Sequence, residues 1–298
     1  MKHCAILTMD NLENYECYDE LLDKPLADKG WQTELVSWRT PIVNWAKFDA
    51  VIIRSPWDYQ DNATAFFKVL EAIKKSGTPL YNSLETVAWN IDKIYLDGLS
   101  DEGVNIVPTL WEDSFAPDKL LGYFDHFNTD QIIIKPRISA NADNTFWLKK
   151  STVINEQEQL TKALHDKNLM VQPFVESVIT EGEFSVFYFD GEYSHAILKT
   201  PKESDFRVQE EHGGRIGAIT PEAMLIAQSE STLLTITKLT GEMPLYARLD
   251  FVRVEENSKG QCFALMEAEL IEPSLYFNYD SESAKRFADA FVSGVNRG

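Results

Sequence analysis

The chain has 298 residues, of which 44% are hydrophobic and 25% are charged, as is ordinary for a folded protein with a large core. Its net charge of -19 opposes binding to nucleic acid or to an anionic membrane, although a local lysine lining or a metal could still receive a nucleotide. The first residues carry too short an apolar stretch for a signal peptide, and no apolar run reaches transmembrane length. We therefore expect a cytoplasmic protein that binds neither nucleic acid nor membrane.

Short apolar runs alternate with helical patterns over about the first ninety residues. Strands are predicted at 4–8, 31–37, 50–54 and 79–81, and helices at 15–29 and 63–76. This alternation predicts a parallel sheet built from βαβ units. No glycine precedes Gly30, so the glycine-rich turn of a nicotinamide-binding fold is absent and another kind of ligand is expected here.

Charged residues follow the strand predicted at 50–54, at the edge where open α/β sheets bind their ligands. Arg54 could bind a carboxylate with its planar fork, and Asp58 could accept a hydrogen bond from an ammonium group. Together they would suit an amino acid. The alternative is a loop that leads into the next helix, with Trp57 packed inward and the charges in water, and the local sequence alone favours that alternative.

The middle of the chain predicts two further α/β units. A helical stretch after Ser83 carries Lys93, and a strand at 131–135 ends at Lys135, before a polar loop at 137–145. An extended stretch from residue 146, a helix at 156–167, a strand at 169–175 and a hairpin at 183–200 follow. Next comes a glycine-bearing loop near Gly213 and Gly214, which suggests a mobile lid.

Acidic residues mark two strands predicted at 246–254 and 261–270. Side chains alternate faces along a strand, so Arg248 and Asp250 share one face, as do Glu267 and Glu269. If residue 254 pairs with residue 261, Arg248 lies opposite Glu267 and three carboxylates converge. Two carboxylates about 4 Å apart repel by roughly 4 kcal/mol at an effective dielectric constant near 20, so Mg²⁺ or Mn²⁺ is an expected counterion. A hairpin with a solvated acidic face is the alternative.

The order of these features along the chain is more informative than any one of them. A lysine on a helix, Lys-Pro at a strand end, the strand end at 171–175, Glu-Gly-Glu at 181–183, a lysine after a hairpin, then Asp and Glu-x-Glu resemble the ATP-grasp superfamily over residues 80–275. Short stretches at 54–59, 206–209, 212–214 and 269–275 are similar to its glutathione-synthetase-like branch. That branch includes the D-cycloserine-forming O-ureido-serine cyclo-ligase.

The resemblance implies an α/β protein with the ATP-grasp fold. An amino-terminal parallel α/β unit at 1–86 would precede two α+β subdomains, at 87–172 and 173–298, that clasp ATP. It also implies a Mg-ATP-dependent ligase, with Mn²⁺ as another metal, that forms an acylphosphate from an amino-acid-like carboxylate and passes the acyl group to an amine or another nucleophile. A catalytically silent ATP-binding module, a simple phosphotransferase and a homodimer stay open.

The resemblance implies roles for individual residues as well. The groups expected to contact nucleotide are Lys93, Lys135, Gln172, Pro173, Phe174, Val175, Glu183 and Lys199. The expected metal ligands are Asp250, Glu267 and Glu269, of which Glu269 replaces an asparagine common in the family. The expected catalytic residues are Arg248, Lys199 and Arg207. The expected substrate contacts are Arg54, Asp58, His212, Gly213 and Gly214.

Overall fold

A computed structural model provides the structure, which describes residues 1–13, 15–139, 142–202, 207–208 and 213–297. Within these ranges the strands form one parallel and two antiparallel sheets. Among the described residues, every helix is too short or too polar to cross a membrane.

The first sheet contains the predicted parallel strands. They are β1 (Lys2–Thr8), β2 (Trp31–Ser37), β3 (Ala50–Ser55) and β4 (Leu80–Tyr81), in the order β2-β1-β3-β4. The helices are α1 (Asp23–Asp28) and α2 (Ala63–Lys75), and the Asn62 side chain caps α2 by accepting from the Ala65 amide. The predicted helix at 15–29 is wrong in length: residues 15–18 are irregular, 19–22 form a 3-10 turn, and Pro25 lies in the first turn of α1. Proline is tolerated there but not in a helix interior, so the helix does not extend far back.

The second sheet is antiparallel. Its strands are β5 (Leu110–Glu112), β6 (Gln131–Pro136), β7 (Phe146–Lys149) and β8 (Leu169–Pro173), in the order β5-β8-β6-β7. The helices of this region are α3 (Leu84–Asn90), α4 (Tyr95–Asp101), α5 (Leu120–Phe127) and α6 (Gln157–Leu164). Lys93 lies between α3 and α4, not on a helix as predicted. The Asp92 side chain accepts a hydrogen bond from the Ile94 amide at 3.0 Å, which stabilises a turn between the two helices.

The third sheet is antiparallel and has the order β11-β10-β9-β12-β13. Its strands are β9 (Glu183–Phe189), β10 (Glu192–Thr200), β11 (Arg215–Ala218), β12 (Tyr246–Arg253) and β13 (Phe263–Glu269), and its helices are α7 (Ser177–Thr180), α8 (Ala223–Thr240) and α9 (Ser283–Arg297). The hairpin between β9 and β10 turns at Asp190 and Gly191 as predicted. Both residues have positive φ, as a tight turn matched to the strand twist requires.

The pairing of β12 with β13 differs from the predicted register. The observed pairs are Arg248 with Glu269 and Asp250 with Glu267. Near the turn, the pairing of the two strands is offset by one residue from the predicted register. This offset by itself would direct Glu267 and Glu269 to the opposite face of the sheet. A β-bulge that leaves Met266 unpaired returns them to the face of Asp250. The convergence of carboxylates therefore depends on a bulge that strand alternation could not predict.

Helix α9 joins the first and third sheets through a shared core. Phe287 and Phe291 of α9 are fully buried in a cluster with Cys4 and Trp31 of the first sheet and Phe187 of the third. The Trp31 and Phe291 rings lie 4.7 Å apart between centroids. This packing fixes the carboxyl edge of the parallel sheet beside the acidic strands.

Candidate active site

A cavity lies where the three sheets meet. It is lined by every residue that the resemblance assigns to nucleotide, metal or catalysis: Lys93, Lys135, Gln172, Pro173, Phe174, Val175, Glu183, Lys199, Arg207, Arg248, Asp250, Glu267 and Glu269. Most of these residues come from the α3–α4 connection, from β6 and β8 of the second sheet, and from β9, β10, β12 and β13 of the third; Phe174 and Val175 follow β8, and Arg207 follows β10. The fold thus brings together groups that are up to 176 residues apart in sequence.

The part of the cavity formed by the second sheet is mainly apolar. Ile133 of β6 and Val175, which follows β8, line it together with Met266 of β13 in the third sheet, and the Phe174 ring stacks on Trp147 with centroids 4.5 Å apart. The Phe174 amide donates to the Gln131 carbonyl at 3.0 Å, which anchors the segment after β8 to the sheet. Such a slot suits a flat aromatic base.

Basic side chains hold the acidic groups in the centre of the cavity. Lys93 Nζ lies 3.0 Å from Glu267 Oε1, and Lys199 Nζ lies 2.5 Å from Glu183 Oε1 and 3.5 Å from Asp250 Oδ1. Arg248 contacts Asp250 at 3.0 Å and also pairs with Glu269. Charges of opposite sign therefore alternate across the centre, in surroundings where an unpaired charge would be costly.

Lys135 differs from the other lysines of the site. Its side chain lines the cavity. No carboxylate of the described residues lies within ion-pair distance of it. Burial lowers its pKa, against the opposing pull of Glu267, while nearby Lys93 lowers it further. An anionic ligand would supply the charge that this lysine lacks.

The carboxyl groups of the site differ in how readily they ionise. Burial raises the pKa of every one, but Arg248 and Lys199 outweigh it at Asp250, and Lys93 and Lys135 outweigh it at Glu267, so both of these pKa values lie below the ordinary range. Burial prevails at Glu269, whose pKa rises to about 7 despite Arg248. A bound cation would relieve this excess of negative charge.

The donor set fits a Mg²⁺ site that a nucleotide completes. The carboxylates of Asp250, Glu267 and Glu269 share one face, and hard oxygen ligands suit Mg²⁺. No three His, Cys, Asp or Glu side chains of the described residues form a ready-made metal centre, because lysine and arginine hold the carboxylates. Mg²⁺ commonly takes only one or two protein carboxylates and fills its shell with water and phosphate oxygens.

The structure contradicts the predicted zwitterion site formed by Arg54 and Asp58. Neither residue lines the cavity. Arg54 is fully buried and donates to Asp19 Oδ1 at 3.0 Å and to the Pro273 carbonyl at 2.8 Å. Asp58 lies outside the cavity and accepts from Arg39 Nε at 2.7 Å. The alternative with Trp57 packed inward describes the loop better, although Arg54 is buried with it instead of facing water.

Arg54 and Trp57 instead hold the segment that follows β13, residues 270–275, which we call the strap. Six consecutive strap carbonyls accept a hydrogen bond from a side chain elsewhere in the fold. The pairs, donor first, are Asn82 to Leu270 at 2.7 Å, Tyr246 to Ile271 at 2.9 Å, Trp57 to Glu272 at 2.7 Å, Arg54 to Pro273 at 2.8 Å, Arg248 to Ser274 at 3.2 Å and His195 to Leu275 at 3.0 Å. The strap's backbone is therefore fixed at every residue.

The strap carries cavity residues that sequence reasoning missed. Glu272, Ser274 and Ile271 line the cavity together with Tyr59 and Glu16 of the first unit. Burial raises the pKa of Glu272 to about 8, helped by the charge of nearby Glu269, and Tyr59 interacts with the same carboxyl group. Glu272 and Tyr59 lie in the stretches at 269–275 and 54–59 that resemble the branch, and their position in those stretches is the signal that could have identified them.

The remaining substrate candidates lie in the loop before β11. His212 falls outside the described residues. Gly213, with a φ of 82°, and Gly214 are described but do not line the cavity. Arg207 does line it.

Comparisons with known proteins agree with this architecture. The family model of the D-cycloserine synthetase DcsG N-terminal domain matches residues 4–82. The cycloserine biosynthesis protein DcsG of Streptomyces lavendulae is 28% identical over 281 residues, with 88% of this chain and 89% of that protein covered. A crystal structure of D-cycloserine synthetase DcsG superposes with a TM-score of 0.86 at 25% identity and covers 98% of this chain and 99% of that one. The ATP-grasp ligase PsnB, in a complex with a precursor variant, Mg and ADP, gives a TM-score of 0.65 at 18% identity over 98% of both chains.

The chain has the ATP-grasp fold. This confirms the fold class predicted from the order of lysines and carboxylates. The likeness to D-cycloserine synthetase extends over nearly the whole chain, which also supports the branch of the ATP-grasp proteins suggested by the short stretches. The matched amino-terminal domain contains Arg54 and Trp57, which hold the strap beside the carboxylates of the ATP-grasp core.

Proposed function

We propose that this protein is an ATP-dependent ligase that joins an amino-acid-like carboxylate to an amine through an acylphosphate. The observation that carries the proposal is the convergence of basic residues and carboxylates from the second sheet, the third sheet and the α3–α4 connection on one cavity. The likeness to D-cycloserine synthetase over nearly the full length supports the same class of reaction.

In this proposal ATP binds along the second sheet. Its base would lie in the apolar slot beside Phe174, with Gln172 to Val175 along the base edge and Glu183 near the ribose hydroxyl groups. Lys93 and Lys135 would contact phosphates, and the free charge of Lys135 supports this part of the assignment.

Asp250, Glu267 and Glu269 would hold Mg²⁺ together with phosphate oxygens of ATP. When bound, the ion would offset the negative charge of the phosphates and of the group in transfer. We extend the proposal to Mn²⁺ because oxygen donors suit both ions. Glu269 would bring a carboxylate where the related proteins commonly use asparagine, and Arg248, which pairs with it, would offset that extra charge.

The proposed reaction has two steps. A carboxylate oxygen of the substrate attacks the γ-phosphorus, the bond from phosphorus to the bridging oxygen breaks, and ADP leaves. An amine, either on a second substrate or within the same molecule, then attacks the acyl carbon and loses a proton as inorganic phosphate leaves. Lys199 and Arg248, with Arg207 at the same cavity, would offset the charge that develops on the transferred phosphoryl group.

The two alternatives make different predictions for the products. A silent ATP-binding module would bind nucleotide without releasing ADP, and a phosphotransferase would leave a stable phosphorylated product without needing an amine. The likeness to a D-cycloserine synthetase favours the ligase.

The test is ADP release from MgATP across a panel of carboxylates, with hydroxylamine added to trap the acylphosphate as a hydroxamate. We expect ADP and hydroxamate with a subset of the carboxylates and neither product in their absence. Nucleotide binding without ADP release across the panel would contradict the ligase proposal, and ADP release without hydroxamate would favour the phosphotransferase.

Three finer points are part of the proposal. The division into units at 1–86, 87–172 and 173–298, a homodimer formed through the amino-terminal unit, and a cytoplasmic location each stay predictions. Limited proteolysis, sedimentation and cell fractionation would test them in turn.

A further inference from the structure

We infer that Glu272 binds the amino group of the substrate and so selects carboxylates that carry a protonated amine. The inference rests on the proposed ligase function and names the substrate class for that site. It replaces the sequence-based assignment of this role to Asp58, which lies outside the cavity.

The first observation is the placement of Glu272. Its backbone is held at both ends of the residue, because its own carbonyl accepts from Trp57 at 2.7 Å and the next carbonyl accepts from Arg54 at 2.8 Å. Its side chain lines the cavity close to Glu269 and Tyr59. The backbone that carries the Glu272 side chain is therefore in place before a ligand arrives.

The second observation is the distribution of charge. Asp250, Glu267 and Glu269 each have a basic side chain within ion-pair distance. Among the residues that the structure describes, no lysine, arginine or histidine forms an ion pair with Glu272 within 4 Å. The charge of Lys93 acts on Glu272 from farther away and pairs with Glu267 instead, and the Tyr59 hydroxyl is the polar neighbour of Glu272. A buried carboxylate is stable when a cation accompanies it, and a substrate ammonium group would be that cation.

The third observation is the chemistry of the surrounding wall. Trp57 and Tyr59 line the cavity beside Glu272, and the Tyr15 and Trp57 rings lie 5.5 Å apart between centroids. Aromatic rings attract cations, so they add to the preference for an ammonium group. Ser274 also lines the cavity, and its buried Oγ has no hydrogen-bond partner in the described part of the chain, which leaves it available to a ligand.

The position of Glu272 relative to the phosphate-transfer groups sets the substrate class. The strap that carries it begins directly after Glu269, and Arg248 binds both Glu269 and the Ser274 carbonyl of the strap. A carboxylate bound by Arg248 would therefore lie beside the strap that carries Glu272. We extend the inference to an amine close to the carboxylate, so that the substrate class is α- or β-amino carboxylates.

The experiment compares Glu272→Gln with the wild-type enzyme on matched pairs of carboxylates that differ only in the amino group. The pairs are alanine and propionate, serine and 3-hydroxypropionate, and O-substituted serines with their desamino counterparts, each in both configurations where one exists. We measure ADP release and hydroxamate, and fit KM and kcat separately. Binding of each compound to the enzyme with Mg²⁺ and the non-hydrolysable analogue AMPPNP is measured by calorimetry.

We expect hydroxamate from amino-bearing members only, and a rise in their KM of about 10- to 100-fold in Glu272→Gln, as follows from losing a hydrogen bond between charged groups. The KM for ATP should not change. Glu158→Gln, which neutralises an exposed carboxylate on α6 far from the cavity in the fold, should behave as wild type. The circular dichroism spectrum and melting temperature show whether each variant is folded.

If the desamino compounds are used or bound as well as the amino compounds, the inference about Glu272 is overturned and the proposed ligase function is not. The same holds if Glu272→Gln reduces activity equally with both members of a pair. A change in the KM for ATP with none for the amino compound would also overturn it, because it would assign Glu272 to the nucleotide or metal. Neither ADP nor hydroxamate from any compound, with nucleotide bound, would overturn the proposed function and this inference with it.

Discussion

The substitution Arg54→Met separates the two roles that Arg54 can have. The sequence suggested an arginine that binds a substrate carboxylate. In the structure the guanidinium is fully buried, pairs with Asp19 at 3.0 Å and donates to the Pro273 carbonyl of the strap at 2.8 Å. In that position Arg54 stabilises the fold directly, and it affects the cavity only because it holds the strap.

The expected cost follows from the two broken contacts. Removing one member of a buried ion pair leaves the other charge uncompensated, which costs about 3 to 5 kcal/mol of unfolding free energy. The Pro273 carbonyl also loses its donor, which adds about 1 to 2 kcal/mol. The total is a large share of the roughly 5 to 15 kcal/mol that stabilises an ordinary protein, so Arg54→Met should be marginally stable.

Urea unfolding followed by tryptophan fluorescence measures this cost, and the second variant is Arg54→Met combined with Asp19→Asn. The double variant also removes the Asp19 charge that Arg54→Met leaves unpaired. We therefore expect the double variant to have a higher unfolding free energy than Arg54→Met alone, whereas two independent losses would add and lower it further. A wild-type unfolding midpoint in Arg54→Met, together with a raised KM for the carboxylate, would refute the structural role and restore direct substrate binding.

Three further predictions concern the site and its support. Asp250→Asn and Glu267→Gln should each lower turnover by about a hundredfold or more with an unchanged circular dichroism spectrum, because each removes a charge that we propose binds the metal; wild-type turnover in either would contradict the metal assignment. Lys135→Met should raise the KM for ATP by about tenfold or more through the loss of a charged contact, and an unchanged KM would remove Lys135 from the phosphate site. His195, whose pKa burial lowers to about 4, is neutral in the folded protein, so the unfolded chain binds the extra proton below about pH 6.5 and stability falls as the pH falls from there to about 4, by about 3 kcal/mol in all. His195→Gln should reduce that pH dependence of the urea midpoint, and an undiminished slope would assign it to other groups.

Much of the fold could be predicted because its signals are local. The strands β1 to β3 and the hairpin at Asp190 follow from apolar runs and turn residues within a few positions. The helix predicted at 15–29 is wrong in length because Pro25 lies in the first turn of α1, and the helix predicted to carry Lys93 is interrupted by the turn in which Asp92 accepts from the Ile94 amide. Each error came from a single residue that overrides the periodicity around it.

The candidate site could be predicted as a set but not in its geometry. The alternation along two strands predicted that Asp250 and Glu267 would converge, yet their register depends on a bulge at Met266 that no pattern marks. The roles of Arg54 and Glu272 depend on contacts made across more than two hundred residues, between the first unit and the strap. Such contacts exist only in the folded chain. The sequence therefore indicated which stretches matter but not which residues contact each other.

The central claim is that a substrate carboxylate attacks the γ-phosphate of ATP. Its most direct test uses a carboxylate that supports ADP release, labelled with ¹⁸O in both oxygen atoms, and follows the inorganic phosphate by ³¹P NMR. The account predicts that the phosphate carries one ¹⁸O atom, because the oxygen that attacks phosphorus leaves with it when the amine displaces phosphate. Unlabelled phosphate would contradict the account, since it would mean that water, and not the carboxylate, attacks the phosphorus.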